Sequence, residues 1–368
     1  MTSTIDWTAF TNPVTPQQVQ QWKGAARAAG HKWAGDNTAS VVISLVALVP
    51  IIALLAVFGV GLVAGAIVGF VSADPGGIAL GGFGLLLGLA LLGLVPLCIW
   101  GLTKIFPNER RWERWLRLDW FARTNGMTFS PRDPDPNYPG AIFRNGGSRA
   151  AVDHFRSVEG RFFDLGNFEY VTSNGKNTTT HRWGFLAMHL ERRLPHMLLD
   201  SLQNNMWGMS GIAGLFDRRQ VLSLEGDFDR YFTLYCPQQY ERDALYVFTP
   251  DLMALCIDQA APFDIEIVDD WMFVYSPRQF AVDDPRLLAR LFGILDLVGA
   301  KALRQTRRYR DDRVPAPFVA NVVAPPGQRL RRRFPLGVII ALALVLGLPL
   351  VMGLIVVFAA VVSVAAGG

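Results

Sequence analysis

Three long stretches without a single charge decide what this chain can fold into. No Asp, Glu, Lys or Arg occurs between Asp36 and Asp74, between Asp74 and Lys104, or after Arg333. An ionised side chain is costly in hydrocarbon, and a core of ~30 Å takes about 20 helical residues at ~1.5 Å rise. Residues 40–71, 78–102 and 335–366 are therefore each predicted to span a bilayer as a helix. The first and third exceed the required length and must tilt, bend or project, with Pro50 and Pro349 as the natural places for a kink. A secretory signal is the competing reading of the first stretch. A leader carrying Trp7, Trp22 and Trp33 precedes it, and a second apolar run follows after a short turn, which is not the pattern of a cleavable signal. A hairpin turning at Gly347-Leu348-Pro349 would leave arms too short for a ~30 Å core, so a single span is favoured there.

Orientation follows from the positive charges, because Lys and Arg resist translocation. Lys104, Arg110, Arg111, Arg114 and Arg117 follow the second stretch, and Arg329, Arg331, Arg332 and Arg333 precede the third. The turn Asp74-Pro75-Gly76-Gly77 has no Lys or Arg. The region between the second and third stretches is thus expected to be cytoplasmic. Lys23, Arg27 and Lys32 place the N-terminus on the same side, and three crossings leave the C-terminus outside. Cys98, Cys236 and Cys256 show no Cys-x-x-Cys spacing and read as small buried apolar residues in a reducing compartment. In that compartment the glycosylation pattern Asn177-Thr178-Thr179 is no more than a polar turn.

Glycines recur at four-residue spacing, as Gly61/Gly65/Gly69, Gly77/Gly81 and Gly84/Gly88. Lipid tails give apolar helices no hydrophobic reason to pair, so such positions act by letting backbones approach. Packing of the first two spans against each other is the expected use, and homo-oligomer contacts are the alternative. Gly59-Val60-Gly61-Leu62-Val63-Ala64 matches a dinucleotide-binding pattern letter by letter, but it lies inside an apolar span with no preceding strand and is rejected. No span has an ionisable interior residue, so nothing marks an ion or substrate path.

In the leader, Thr15, Pro16 and Gln18 form a helix start with a capping box, and Gly30 a stop. That helix either lies in the headgroup region or packs on the soluble part. Residues 108–125 read as a helix ending at Gly126, with Trp112, Trp115 and Trp120 interleaved with arginines. At a membrane exit, such a run points to anionic lipid or local packing and not to nucleic acid. Strands follow. Phe168, Tyr170 and Thr172 alternate, Asn174-Gly175-Lys176-Asn177 turns, and Trp183, Phe185 and Ala187 alternate again, while Leu186, Met188 and Leu190 indicate a return strand covered on both faces. Further strands are expected at 221–224 and 231–236, with a second hairpin pairing 263–267 with 272–275 across Asp269-Asp270. Helices are expected from Thr249-Pro250-Asp251 to about Asp258, and from Asp284-Pro285 toward Arg307 along Leu287, Leu288, Leu291, Leu295 and Val298. Hairpins with helices between them give an α+β fold with antiparallel strands, plus three transmembrane α-helices. The chain divides into a leader (1–39), a helical hairpin (40–102), an α+β domain (103–313), a Pro-rich and basic tether (314–334) and a C-terminal span (335–368).

Chemistry is hard to find. His154, His181, His189 and His196 lack His-Glu-x-x-His spacing, and a zinc site would have to be assembled from distant segments. Asp153-His154 beside Glu159 resembles a fragment of an acid/base pair, and a surface turn is the favoured reading. Gly208-Met209-Ser210-Gly211 lacks the second glycine of a nucleophile elbow, and no phosphate-loop Gly-Lys-Ser/Thr is present. Glu169 and Arg182 are placed to pair across the first hairpin, and Asp227, Asp229 and Arg230 form a mixed cluster before a strand. No catalytic, cofactor-binding or metal-ligating residue is assigned.

The run from Val221 through Leu224-Glu225-Gly226-Asp227-Phe228-Asp229-Arg230-Tyr231 to Tyr235, then Ala244-Leu245-Tyr246-Val247-Phe248-Thr249-Pro250 and the strand around Asp270-Trp271, resembles an uncharacterised group of bacterial membrane proteins catalogued as a domain of unknown function. The likeness covers residues 220–280 and implies a bacterial membrane protein with a soluble domain between or beside its spans. It transfers no site residue. The reading that follows is a non-enzymatic, membrane-anchored cytoplasmic module that contacts the bilayer and binds a protein or lipid partner, without cofactor or nucleic acid. An enzyme gathering His154, His181 and acidic residues in one pocket, and an accessory subunit of a transport complex, are its competitors.

Overall fold

The computed structural model describes residues 5–35, 38–71, 75–105, 109–175, 177–204, 212–224, 226–314 and 321–332. The chain falls into two compact units, Thr8–Trp120 and Met1–Trp7 together with Phe121–Gly368. The expected third span and the Gly208–Gly211 motif lie outside the described residues.

The first unit holds α1 (Thr8–Thr11), α2 (Pro16–Ala28), α3 (Thr38–Val71), α4 (Pro75–Ile105) and most of α5 (Glu109–Thr124). The capping box forms as read: the Thr15 hydroxyl accepts from the Gln18 amide, and Gln18 Oε1 accepts from the Thr15 amide at 2.9 Å. The α2 stripe is used on α5, where Val19 packs with Trp112 and Leu116 and Trp22 Nε1 donates to Asp119 at 2.8 Å. The leader helix thus packs on α5.

Within α3 and α4, Val46–Val71 has a mean hydropathy of 2.8 and Ile78–Trp100 one of 2.4, and only 6% and 11% of their most apolar windows are buried. The core helix of a soluble protein would bury such a surface. Here Leu54, Phe58, Leu80, Phe83 and Leu86 face outward. Two described helices are thus long and apolar enough to cross a bilayer. At 34 and 31 residues they reach ~50 Å and ~46 Å and project beyond a ~30 Å core. Helix α4 begins at Pro75, so the expected turn ends earlier than read, and proline takes a first-turn position where its missing N–H costs nothing. The helices run antiparallel. A Cβ on Gly88 would lie 2.8 Å from Val63 Cγ2 and 2.9 Å from the Gly59 carbonyl, whereas nothing lies within 4 Å at Gly61 or Gly65. Gly59, Gly81 and Gly88 make the close approach, and the Gly61/Gly65 row does not.

The second unit is built on an antiparallel sheet of β1 (Met127–Pro134), β2 (Gly147–Ser157), β3 (Phe163–Ser173), β4 (Thr178–Ser201), β5 (Val221–Leu222), β6 (Phe232–Tyr235) and β7 (Asp264–Ser276). The spatial order is β1-β2-β3-β4-β6-β5, with β7 on the other edge of β4. The first hairpin has the expected register, Phe168 opposite Trp183 and Glu169 opposite Arg182. Residues 184–188 are buried on both faces. Phe185 and Ala187 join Phe143, Phe168, Phe273 and Tyr275 on one side. On the other, the helical run α8 (Pro285–Gly293), a wider π turn (Ile294–Gly299) and α9 (Ala300–Thr306) approaches so closely that a Cβ on Gly299 would meet Met188 Sδ at 2.5 Å. Helices α6 (Glu241–Val247), α7 (Pro250–Leu255) and α10 (Pro325–Gln328) complete the α+β fold. Helix α7 starts where Thr249-Pro250 predicts, although the Thr249 hydroxyl makes no cap bond.

The second expected hairpin does not exist. Residues 264–276 form one strand that pairs with β4 from Leu199↔Ile265 to Gly184↔Ser276, straight through Asp269-Asp270. Asp269 alone adopts a left-handed φ of 54°, which makes a bulge and not a reversal, and the register of β4 shifts beside it around Pro195. The segment read as a tether also differs. Leu330 donates to His196, Arg331 exchanges hydrogen bonds with Gln220, and Arg329 forks onto Asp269 at 2.9 and 2.7 Å, so residues 329–331 are fastened to the domain.

Gly88→Leu is expected to destabilise the helix pair by about 1–3 kcal/mol, because Val63 and the Gly59 backbone must move aside. Gly61→Leu should leave it unchanged. Thermal unfolding of the two full-length variants in the same detergent measures the difference.

Candidate functional site

The four histidines of the domain go to four separate places. His181, His189 and His196 lie seven or eight residues apart along β4, about 23–26 Å between successive rings' positions on an extended strand. His181 bonds Thr172 at 2.9 Å and stacks on Tyr170. His189 is exposed, 3.2 Å from Asp270 and edge-on to Trp271. His154 and His196 sit in two different buried networks. Among the described residues no group of three His, Cys, Asp or Glu is arranged to hold a metal. The three cysteines are free, and burial pushes the thiols of Cys236 and Cys256 up to about 12, so neither is a nucleophile near neutral pH.

His154 is not in a surface turn. It is 1% exposed, in the middle of β2. Asp153 takes a φ of 46°, the β2–β3 register slips between Val152 and Phe155, and Gly166 opposite has no side chain, where a Cβ would stand 2.3 Å from His154 Cβ. This bulge turns the imidazole inward onto Asp164, with Nδ1 2.7 Å from Oδ1. Asp164 also accepts from Arg156 at 2.9 Å and from the Tyr138 hydroxyl at 2.6 Å. His154 Nε2 lies 3.2 Å from Asp133, an ion-pair contact too far off-line to be a hydrogen bond. Burial alone would discharge the ring, but the Asp164 and Asp133 charges outweigh it and lift His154 to about 9. Contact with His154 lowers Asp133 to about 2, against its partial burial and with help from Ser130. Burial likewise works against the Asp164 carboxylate, yet His154 and Arg156 hold it below its ordinary value. A cationic, sealed imidazole has neither the charge state nor the access of a general base.

The second network centres on Glu266, 0% exposed on β7. It accepts from His196 Nε2 at 2.7 Å, the Tyr275 hydroxyl at 2.7 Å and the Ala141 amide at 2.8 Å. The Leu330 amide donates to His196 Nδ1 at 3.0 Å, which places the ring proton on Nε2. Every donor and acceptor is internal. Nearby, Asp264 accepts from the Ser201 amide and Asn204, but burial and the Asp200 charge dominate and push it up to about 7.

The surface is different. A cleft of about 550 Å³ is lined by Arg242, Asp243 and Tyr246 of α6 and by Arg308, Tyr309, Arg310, Asp312 and Arg313 just beyond α9. Its floor is internally paired. Asp243 accepts from Tyr309 at 2.8 Å and lies 3.0 Å from Arg313, which also reaches Asp311 at 3.2 Å and lies 4.0 Å over the Tyr240 ring. Asp311 is further held by Tyr240 and by the Ala324 amide. The sequence reading passed over this site. Its trace there is the run Arg307-Arg308-Tyr309-Arg310, whose partner residues on α6 lie more than sixty positions earlier.

No family model matches the chain, and no curated protein matches it. Among solved structures the chain is similar to the crystal structure of the mycobacterial trehalose monomycolate transport factor A, at 12% identity and a TM-score of 0.36, over 53% of this chain and 94% of that one.

Two titrations are expected to lower stability as pH rises. Asp264 takes up a proton on folding, so its contribution is greatest below about 4 and declines until about 7. His154, raised from 6.5 to about 9, contributes fully below 6.5 and loses that contribution as pH passes through 9. Asp264→Asn should flatten the stability profile between pH 4 and 7, a slope worth roughly 2–4 kcal/mol. His154→Gln should cost about 3 kcal/mol at pH 6 and much less at pH 10. Denaturant midpoints measured across that range test both.

Proposed function

We propose that this chain is a membrane-anchored, non-enzymatic module whose α+β domain binds a protein or lipid partner on the cytoplasmic face of a bacterial inner membrane. The observation that carries the reading is the outward-facing apolar surface of α3 and α4, which water does not solvate and a bilayer does. Binding is favoured over catalysis because the buried histidines and acids are engaged with one another: His154 with Asp164, and His196 with Glu266. The cytoplasmic side follows from Lys104, Arg110, Arg111, Arg114 and Arg117 after the second helix. A third crossing at 335–366, a domain spanning 103–313 and the likeness of 220–280 to a bacterial membrane group belong to the same proposal.

Topology is tested with Thr179→Cys, an exposed position beyond the β3–β4 turn, in a Cys98→Ala background whose remaining thiols, Cys236 and Cys256, are buried and react poorly. A membrane-impermeant maleimide is expected to label it in inverted vesicles and not in right-side-out ones. The reverse pattern would sink the orientation. Photo-crosslinking from the same position in intact membranes should then yield a discrete protein or lipid adduct, and turnover of a small molecule by the purified chain would contradict the non-enzymatic reading.

A further inference from the structure

We infer that the arginine cleft between α6 and the chain beyond α9 is a binding site for a phosphate monoester. Four guanidinium groups line it, and one of them, Arg313, is neutralised by Asp243 and Asp311. Arg242, Arg308 and Arg310 are exposed and form no ion pair or hydrogen bond with any described residue. The remaining acid of the lining is Asp312, so even with both floor acids, Asp243 and Asp311, counted against Arg313, a net positive charge of one remains, and the three unpaired guanidinium groups converge on one concavity.

Like charges in a shared cleft repel, and proteins that keep such a cluster generally offset the repulsion with a bound anion. Guanidinium forks match the oxygen pairs of carboxylate and phosphate alike, and a phosphate offers a third oxygen and more charge for several forks at once. A phosphate monoester carries between −1.5 and −2 charges near neutral pH and presents enough oxygens to engage more than one of the three unpaired guanidinium groups. The volume, about 550 Å³, exceeds a bare phosphate and falls among clefts that take organic ligands. Tyr246 and Tyr309, with ring centroids 6.0 Å apart, give the cleft an aromatic wall for the group that the phosphate esterifies. The Tyr309 ring is fixed by its hydroxyl, which is committed to Asp243, and Gln305 donates to the backbone carbonyl of Tyr246 at 2.7 Å, tying α6 to α9. The paired floor therefore holds the three unpaired arginines around the opening without using their charge.

The terminal phosphate of a lipid headgroup and that of a soluble ester present the same chemistry. The test separates them. Full-length protein in neutral detergent is titrated with glycerol 3-phosphate and with dihexanoyl phosphatidic acid, at matched ionic strength, and binding is read by thermal shift and calorimetry. Dihexanoyl phosphatidylcholine, a diester without net charge, is the reference. Saturable binding of either monoester, weakened at least tenfold in Arg308→Gln/Arg310→Gln and kept in Arg218→Gln/Arg286→Gln, supports the site. Binding of both marks a soluble ester as sufficient, and binding of the phosphatidic acid alone marks a headgroup. Arg308→Lys/Arg310→Lys keeps the charge without the forks and should bind with intermediate affinity. Absence of binding by both ligands, equal binding in the Arg308/Arg310 glutamine variant, or equal binding of the phosphatidylcholine would overturn the assignment. None of these outcomes bears on membrane anchoring, which the maleimide experiment tests separately.

Discussion

Backbone pairing along the 24 residues of β4 is the constraint on which the domain rests. Its first half pairs with β3 on one edge while most of its length pairs with β7 on the other, and its last residues take β6 where β3 has ended. A strand with neighbours on both edges has no backbone group left for water, so both its faces can be apolar. The two faces then recruit different cover, aromatic loops on one and the α8–α9 run on the other. The irregular stretch at 189–197 is tolerated because Asp269 opposite it takes the left-handed conformation and is held there by Arg329.

Against that apolar background the ionic networks act as register markers. The Asp164 carboxylate joins side chains from β2, β3 and the loop carrying Tyr138, and His154 adds Asp133 of β1. Glu266 joins β4, β7 and the chain at Ala141. Such groups contribute little net stability compared with a well-packed apolar core, but an uncompensated charge left by a one-residue slip is severely unfavourable. A strand that slid along its neighbour would strand Asp164 or Glu266 without donors. The networks therefore select one pairing among several that the alternation of apolar residues would allow.

What the sequence made legible were features written in contiguous residues. The first two charge-free runs, which form long apolar helices, the Thr15/Gln18 box, the Asn174–Asn177 turn and the Glu169–Arg182 pair all depend on local spacing, and these are present as read. What it concealed depended on conformation at single residues or on distant segments. Asp269-Asp270 has turn chemistry, and only the partner strand reveals a bulge. Asp153-His154 beside Glu159 has the composition of a surface turn, while the determinant of the burial of His154 is the absence of a side chain at Gly166 on the next strand. Gly61 and Gly65 repeat as regularly as Gly84 and Gly88, and nothing in the spacing says which row meets the neighbouring helix. The arginine cleft needed α6 and the chain beyond α9 to be brought together.

The hydrogen bond from the Leu330 amide to His196 joins residues 134 positions apart. A ribosome delivers the chain from its N-terminus, at roughly 5–20 residues each second. His196 and Glu266 are therefore synthesised well before the amide that completes their network exists. Until then the imidazole lacks an acceptor's partner in an otherwise apolar interior, and the sheet can be collapsed but not finished. Nascent chains truncated before residue 330 would thus carry the His196–Glu266 pair without the amide that completes it, and the sheet would stay open to proteases until that residue is made.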